Sequence, residues 1–385
     1  MTSSPLASPD RPAPALRFAA NVLVRALLLF AALNALLALG DPLPALGRIS
    51  AYNAIFPGRR RLPYGEDPDR SYNLSLFSLE AMFAAHEIAV PKPASEYRAL
   101  LIGDSSTWGT LLRPDETLAA QINAGGYVTR DRRRVRAYNL GYPIMSLAKD
   151  LLILQTAMRY EPDLIVWLVT LESFPYDKQL FPPLVQHNPG PMQSLISNYQ
   201  LRLDLDDPGF VKESFWDRTL LGRRRALADL LRLQLYGVMW AATGIDQDYP
   251  DTYEPRQEDF EEDYSFHDLQ PPHLAADDLA FDILAAGRAR AGDAPMLIVN
   301  EPTFISRGKN SDIRYNFFYP RWAYDDYRPL LAAECAARGW RCLDLWDAIP
   351  ASEFTNSAVH LTPEGTAQLG ALVGPAILQV ANGEE

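Results

Sequence analysis

An α/β fold built on a parallel sheet is predicted by three observations. Five short apolar runs each end in Gly or a polar turn, helical periodicity stands between them, and one long acid-rich segment breaks the alternation. The runs are RALLIG at 98–103, VRAYNLG at 135–141, DLIVWLVTL at 163–171, APMLIVNEP at 294–302 and WRCLDLW at 340–346. Continuous apolar runs, rather than alternating ones, are what strands covered on both faces require. MSLAKDLLILQTAMRY at 145–160 and DDLAFDILAAGRARAG at 277–292 supply two of the intervening helices. In such a sheet, ligands are expected at the carboxyl ends of the strands.

Residues 1–16 are small, polar and Pro-rich, and read as a disordered cytoplasmic tail. Residues 17–40 form a transmembrane anchor or signal segment. From Phe18 to Gly40 there are 23 residues with only Arg25 charged, about 35 Å of helix at about 1.5 Å per residue. Arg11, Arg17 and Arg25 on the amino side favour an inside N-terminus, which places the rest of the chain outside the cytoplasm. A cleaved signal peptide is the rival, with small residues at Ala38 and Gly40, and a buried soluble helix is the plainer reading.

Residues 41–95 read as a linker, with an Arg59-Arg60-Arg61 cluster and a helix around Leu76–Ile88. Residues 96–385 form the α/β domain, with an insertion at 175–275. The insertion carries a helix at about Phe215–Ala242, read either as a lid over the sheet edge or as an interfacial membrane helix. Asp246–Asp263 holds nine acidic residues and one basic, a net −8 out of −12 for the whole chain. The plain reading of that run is a solvated loop. A balance this acidic excludes a general nucleic-acid binder. Two Cys in 385 residues exclude a Cys-rich zinc module or a disulfide framework. No metal-ligand spacing and no organic-cofactor motif appears, so no cofactor is expected.

The first strand ends in Gly103-Asp104-Ser105, which exposes a Ser on a tight turn above the sheet. The backbone N–H groups that follow can hold an oxyanion. After the second strand, Gly141 can bring another N–H. His360 lies in the loop after the fifth strand, where it can serve as base to Ser105. His86, His187, His267 and His273 read as surface or lid residues.

These motifs resemble the SGNH/GDSL hydrolase superfamily over roughly residues 97–175 and 293–375. The resemblance implies a three-layer flavodoxin-like fold with strand order 2-1-3-4-5. It implies Ser105 as nucleophile, Gly141 as oxyanion donor and His360 as general base, with Asp104 beside them. Two positions depart from the family pattern. The third block normally supplies an Asn donor, and here Glu172 stands after the third strand. The last block normally has an Asp three residues before the His, and Ser357 stands there instead, preceded by Asn356. With the fourth strand beside the fifth, Glu301 could orient His360 and Asn300 could replace the missing donor. Asp347 is the next candidate for the orienting carboxylate.

The resemblance therefore implies a serine-dependent acyl-ester hydrolase or O-acyltransferase. It would act on an acylated cell-envelope glycan or small ester, be held to the membrane by its N-terminal helix, and work beside a membrane-bound acyltransferase. A degenerate scaffold or glycan-binding subunit is the alternative. The segment Ser311–Arg328 packs aromatics with Arg, as a sugar or phosphate surface or as a packed loop. Cys335 and Cys342 form either a disulfide or two buried thiols.

Overall fold

A computed structural model describes residues 14–56, 58–65 and 75–384. The tail expected at 1–16 lies almost wholly outside them. The described chain divides into two compact units, one comprising the residues up to Pro44 with Lys212–Ala228, the other Ala45–Val211 with Asp229–Glu385.

The larger unit holds the sheet. Strands β1 (Glu96–Ile102), β2 (Arg134–Asn139), β3 (Leu164–Val169), β4 (Met296–Asn300) and β5 (Arg341–Asp344) lie in the order β2-β1-β3-β4-β5. Every pairing is parallel, with Leu101 opposite Asn139 and Val166, and Asn300 opposite Val169 and Asp344. All five strands therefore end along one edge, which carries the site. The fold class read from the sequence is the one found.

Side-chain alternation along the strands sorts the core into two layers. Leu100, Ile102, Ile165, Trp167 and Ile298 face one way, packing with helices Leu147–Ala157, Phe281–Ala291 and Arg321–Arg338. Ala99, Leu101, Val166, Leu168 and Val299 face the other, packing with helices Leu118–Ala124 and Pro363–Ala381. The result is a three-layer sandwich.

The linker read at 41–95 is largely built into the first layer. Tyr52, Leu62, Leu79, Met82, Phe83 and Ile88 are buried there, and Arg59 and Arg61 are buried as well. The Arg61 guanidinium lies 4.6 Å over the Trp108 ring. It donates from Nη1 to Gly109 O (2.7 Å) and Leu112 O (3.0 Å), and from Nε to Asp246 (2.9 Å). Basic clusters are usually solvated, and Arg60 is exposed here, but Arg61 is internal because backbone carbonyls and Asp246 satisfy it.

The inserted helix spans Arg224–Thr243, shorter than read, because Phe215–Arg223 forms turns. Leu233, Gly237 and Trp240 are its buried residues, and the Gly237 Cα packs against the Tyr52 ring. Cys335 and Cys342 form a disulfide with Cα atoms 6.2 Å apart. The Ser311–Arg328 aromatics are mostly core: Tyr319, Tyr324 and Tyr327 are fully buried. Arg321 and Arg328 sit 4.2 Å over Tyr315 and Trp346, which favours the packed-loop reading.

In the smaller unit, helix α1 (Pro14–Gly40) contains a stretch, Ala15–Gly40, long and apolar enough to cross a membrane, with a mean hydropathy of 2.4 over its most apolar 18 residues. Only 6% of its most apolar window is buried, which removes the buried-helix reading.

Candidate active site

The turn after β1 is shaped by Asp104, which caps the short helix Ser105–Trp108 by accepting the Ser106 N–H (2.7 Å). The helix ends at Gly109, whose φ of 91° a side chain would resist. Gly141 is required for a different reason. A Cβ there would lie 2.4 Å from Trp108 N and 2.7 Å from Thr107 C, so only glycine lets the turn after β2 close against the Ser105 helix.

Ser105 Oγ donates to His360 Nε2 at 2.9 Å. The other ring nitrogen, Nδ1, lies 2.8 Å from Asn356 Oδ1. An amide oxygen at Nδ1 selects the tautomer with its proton there, leaving the Nε2 lone pair facing Ser105. Burial pulls the imidazole down to about 4, against the opposing charge of Asp104. His360 is thus a neutral acceptor at physiological pH, the form a general base needs. The acid limb of kcat/KM for the free protein is therefore expected near pH 4, with activity lost as pH falls through it. A limb near the ordinary imidazole value, about 6.5, would contradict this environment.

The structure corrects three expectations. Glu301 does not orient His360: its carboxyl accepts from the Ser106 hydroxyl, and Asn356 occupies Nδ1. Burial first, and Asp104 second, raise the Glu301 carboxyl well above its usual range, which favours the protonated acid. Asn300 is not an oxyanion donor, because its amide donates to Asp344 (2.8 Å) and its carbonyl accepts from Tyr327 (3.2 Å). Asp347 does not orient His360 either, because the two ring nitrogens bond to Ser105 and Asn356.

Gly141 is brought beside the Ser105 helix, yet its N–H donates to Asn139 Oδ1 (3.0 Å) rather than pointing into open space. That is a correction to its reading as a donor. The Ser105 N–H, by contrast, has no acceptor among the described residues. Three residues past Gly141, Ile144 holds a φ of 80°, a strained conformation for a β-branched residue. Glu172 is engaged elsewhere. It pairs with Lys178 and with His267 Nε2 (3.1 Å), whose Nδ1 meets Asp177 (2.8 Å). Despite its burial, His267 is raised by these two carboxylates.

Other residues that shape the site carried no motif. Lys149, fully buried, donates to Gly103 O (2.9 Å) and Tyr142 O (2.6 Å), tying the turn after β1 to the turn after β2. Its charge is matched by Asp150 at 2.7 Å. His86, read as a surface residue, is buried and lies 3.0 Å from the Asn139 carbonyl at the end of β2. The acidic segment is also more than a solvated loop. Its acidic side chains are largely exposed, but Arg256 bonds to Thr355 O (3.0 Å) and Phe354 O (2.8 Å), directly before Asn356.

Asn356→Ala is expected to lower kcat by about 10–100-fold, since the base loses its orientation but not its presence. Asn356→Asp is expected to move the acid limb of the pH profile upward by about one unit, because a carboxylate favours the imidazolium. A pH–rate series on both variants checks this, and an unmoved limb in Asn356→Asp would remove Asn356 from that role.

An open cavity of about 670 Å³, lined by Arg48, Asn53, Glu80, Arg159 and Tyr160 among others, contains none of these residues. Among the described residues no group of His, Cys, Asp and Glu is arranged to hold a metal ion.

No family model and no curated protein matches the sequence. Solved structures similar to it are esterases of the SGNH/GDSL type. One is a carbohydrate acetylesterase family member from Sinorhizobium meliloti, at 14% identity and a TM-score of 0.31, covering 74% of this chain and 99% of that one. Another is the aryl esterase of M. smegmatis, at 11% identity and 0.33, covering 73% and 98%. A third is a G-D-S-L family protein from Desulfitobacterium hafniense, at 11% and 0.32, covering 72% and 98%. At that level of likeness, activity has to rest on this chain's own residues.

Proposed function

We propose that this chain is a serine-dependent acyl-ester enzyme of the SGNH type, and the 2.9 Å contact between Ser105 Oγ and a neutral His360 carries that reading. Ser105 Oγ attacks the ester carbonyl while its proton passes to His360 Nε2. The oxygen that gains charge is met by the Ser105 N–H. The C–O bond to the alcohol breaks, the alcohol leaves with the proton from His360, and an acyl-Ser105 remains. A water or a sugar hydroxyl then gives its proton to His360 and takes the acyl group, the bond from Ser105 Oγ to the acyl carbon breaks, and the proton passes from His360 to Oγ, which regenerates Ser105. Asn356 performs for His360 what a carboxylate performs in the usual triad, as an amide does in Cys-His-Asn sites.

The substrate class is an O-acylated cell-envelope glycan, with transfer or hydrolysis decided by which hydroxyl reaches the acyl-serine. α1 supports a chain held at a membrane, and the Cys335–Cys342 disulfide supports an oxidising compartment outside the cytoplasm. A membrane-bound acyltransferase is the partner this placement suits. The test is incubation of the full chain with an O-acetylated polysaccharide, with and without an unacetylated acceptor, reading free acetate and acetylated acceptor. Time-dependent appearance of either product is expected. No product from the polysaccharide, and none from p-nitrophenyl acetate, would refute the reading.

A further inference from the structure

The smaller unit joins α1 to a segment distant in sequence, Lys212–Ala228. The Leu221 N–H donates to Asn34 Oδ1 (3.2 Å), and Arg223 lies 3.4 Å from Asp41, so this segment is tied to the carboxyl end of α1. The apolar span Phe18–Gly40 rises about 35 Å at about 1.5 Å per residue, a little over the hydrocarbon thickness of about 30 Å, so Asn34 lies toward its carboxyl boundary and Asp41 just beyond it. A segment bound to both lies at that boundary.

The composition of the segment suits that boundary. Trp216 is 75% exposed and Leu221 56%, beside a half-exposed Phe215. The turn that displays them is held by Ser214, which bonds Asp217 through both its N–H (2.8 Å) and its hydroxyl (2.7 Å). Lys212, Arg218, Arg223, Arg224 and Arg225 stand against Glu213 and Asp217, a net +3 in a chain of net −12. An exposed Trp beside Arg on an acidic protein is costly in water and favourable at a lipid interface, where the indole sits at headgroup level and the guanidiniums meet phosphates.

We infer that Lys212–Ala228 is a membrane-interface collar: Trp216, Phe215 and Leu221 enter the bilayer surface at the carboxyl end of α1, and the exposed Lys212 and Arg224 bind anionic phospholipid headgroups, while Arg223 is held by Asp41 and Glu213. The inference rests on α1 remaining as an anchor. The collar would fix the level and tilt of the chain at the membrane through a second point, which a single helix cannot do.

The full chain is reconstituted into vesicles of phosphatidylcholine with phosphatidylglycerol, with or without bromine near the top of the acyl chains. Tryptophan fluorescence is read for the natural chain and for Trp216→Phe, and alkaline carbonate extraction is run in parallel. Retention in carbonate, with bromine quenching that Trp216→Phe largely removes, is the expected result. Retention with equal quenching in both chains overturns the collar and leaves the anchor standing. Release by carbonate overturns both.

Discussion

Replacing Ser105 by Ala is expected to lower kcat on acyl esters by about 10⁴–10⁶-fold, leaving only what substrate binding and backbone donors supply. The size follows from the arrangement at the carboxyl end of β1. Among the described residues Ser105 is the hydrogen-bond partner of His360 Nε2, so its loss removes covalent catalysis and leaves the base with no proton to take. His360→Ala is expected to cost nearly as much, and the double variant little more than either, because the two residues act as a unit. Steady-state kinetics on the three variants checks this. Near-additive losses would mean that the two residues act separately. The fold is not at risk in Ser105→Ala, since the turn is shaped by Asp104, Gly109 and Gly141 rather than by the Ser105 hydroxyl.

Asp246→Ala is expected to have the largest effect on stability, a loss of about 3–5 kcal/mol. Arg61 and Asp246 are both fully buried, so removing the carboxylate strands a guanidinium in the core. At roughly 2 °C per kcal/mol, that is a fall in Tm of roughly 6–10 °C. The damage reaches the site, because Arg61 also holds the carbonyls of Gly109 and Leu112 directly after the Ser105 helix. Gln247 donates to the same two carbonyls (3.0 and 2.8 Å), so the loop is expected to loosen rather than unfold. Thermal and urea unfolding of Asp246→Ala beside Asp246→Asn measures this, with the smaller loss in the Asn variant, which keeps an acceptor. Equal stability in all three chains would show that the pair is not internal.

The strands are legible because burial on both faces leaves uninterrupted apolar runs, and the meeting of Ser105 with His360 because both stand at the carboxyl ends of strands that share one edge. The rest was hidden for identifiable reasons. Adjacency of the fourth and fifth strands does not say where the Glu301 carboxyl points, and it meets the Ser106 hydroxyl, buried next to Asp104. Asn356 was passed over because an amide lacks the charge that marks an orienting residue. The roles of Lys149, Arg61 and His86 are not legible in the sequence, because each holds backbone carbonyls that carry no side-chain signature, and the carboxylate that pairs with Arg61 lies 185 residues away. Gly141 was found through its motif, yet its conservation of space against Trp108 and Thr107, rather than a donated N–H, is what the packing explains.

The central claim is that Ser105 is an activated nucleophile, and fluorophosphonate labelling tests it most directly. Intact-mass and peptide mapping of the labelled full chain should show one adduct, on Ser105, formed slowly or not at all in His360→Ala. No adduct on Ser105 in the natural chain, under conditions that label an ordinary serine esterase, would contradict the account and leave a scaffold that kept the shape of the site without its chemistry.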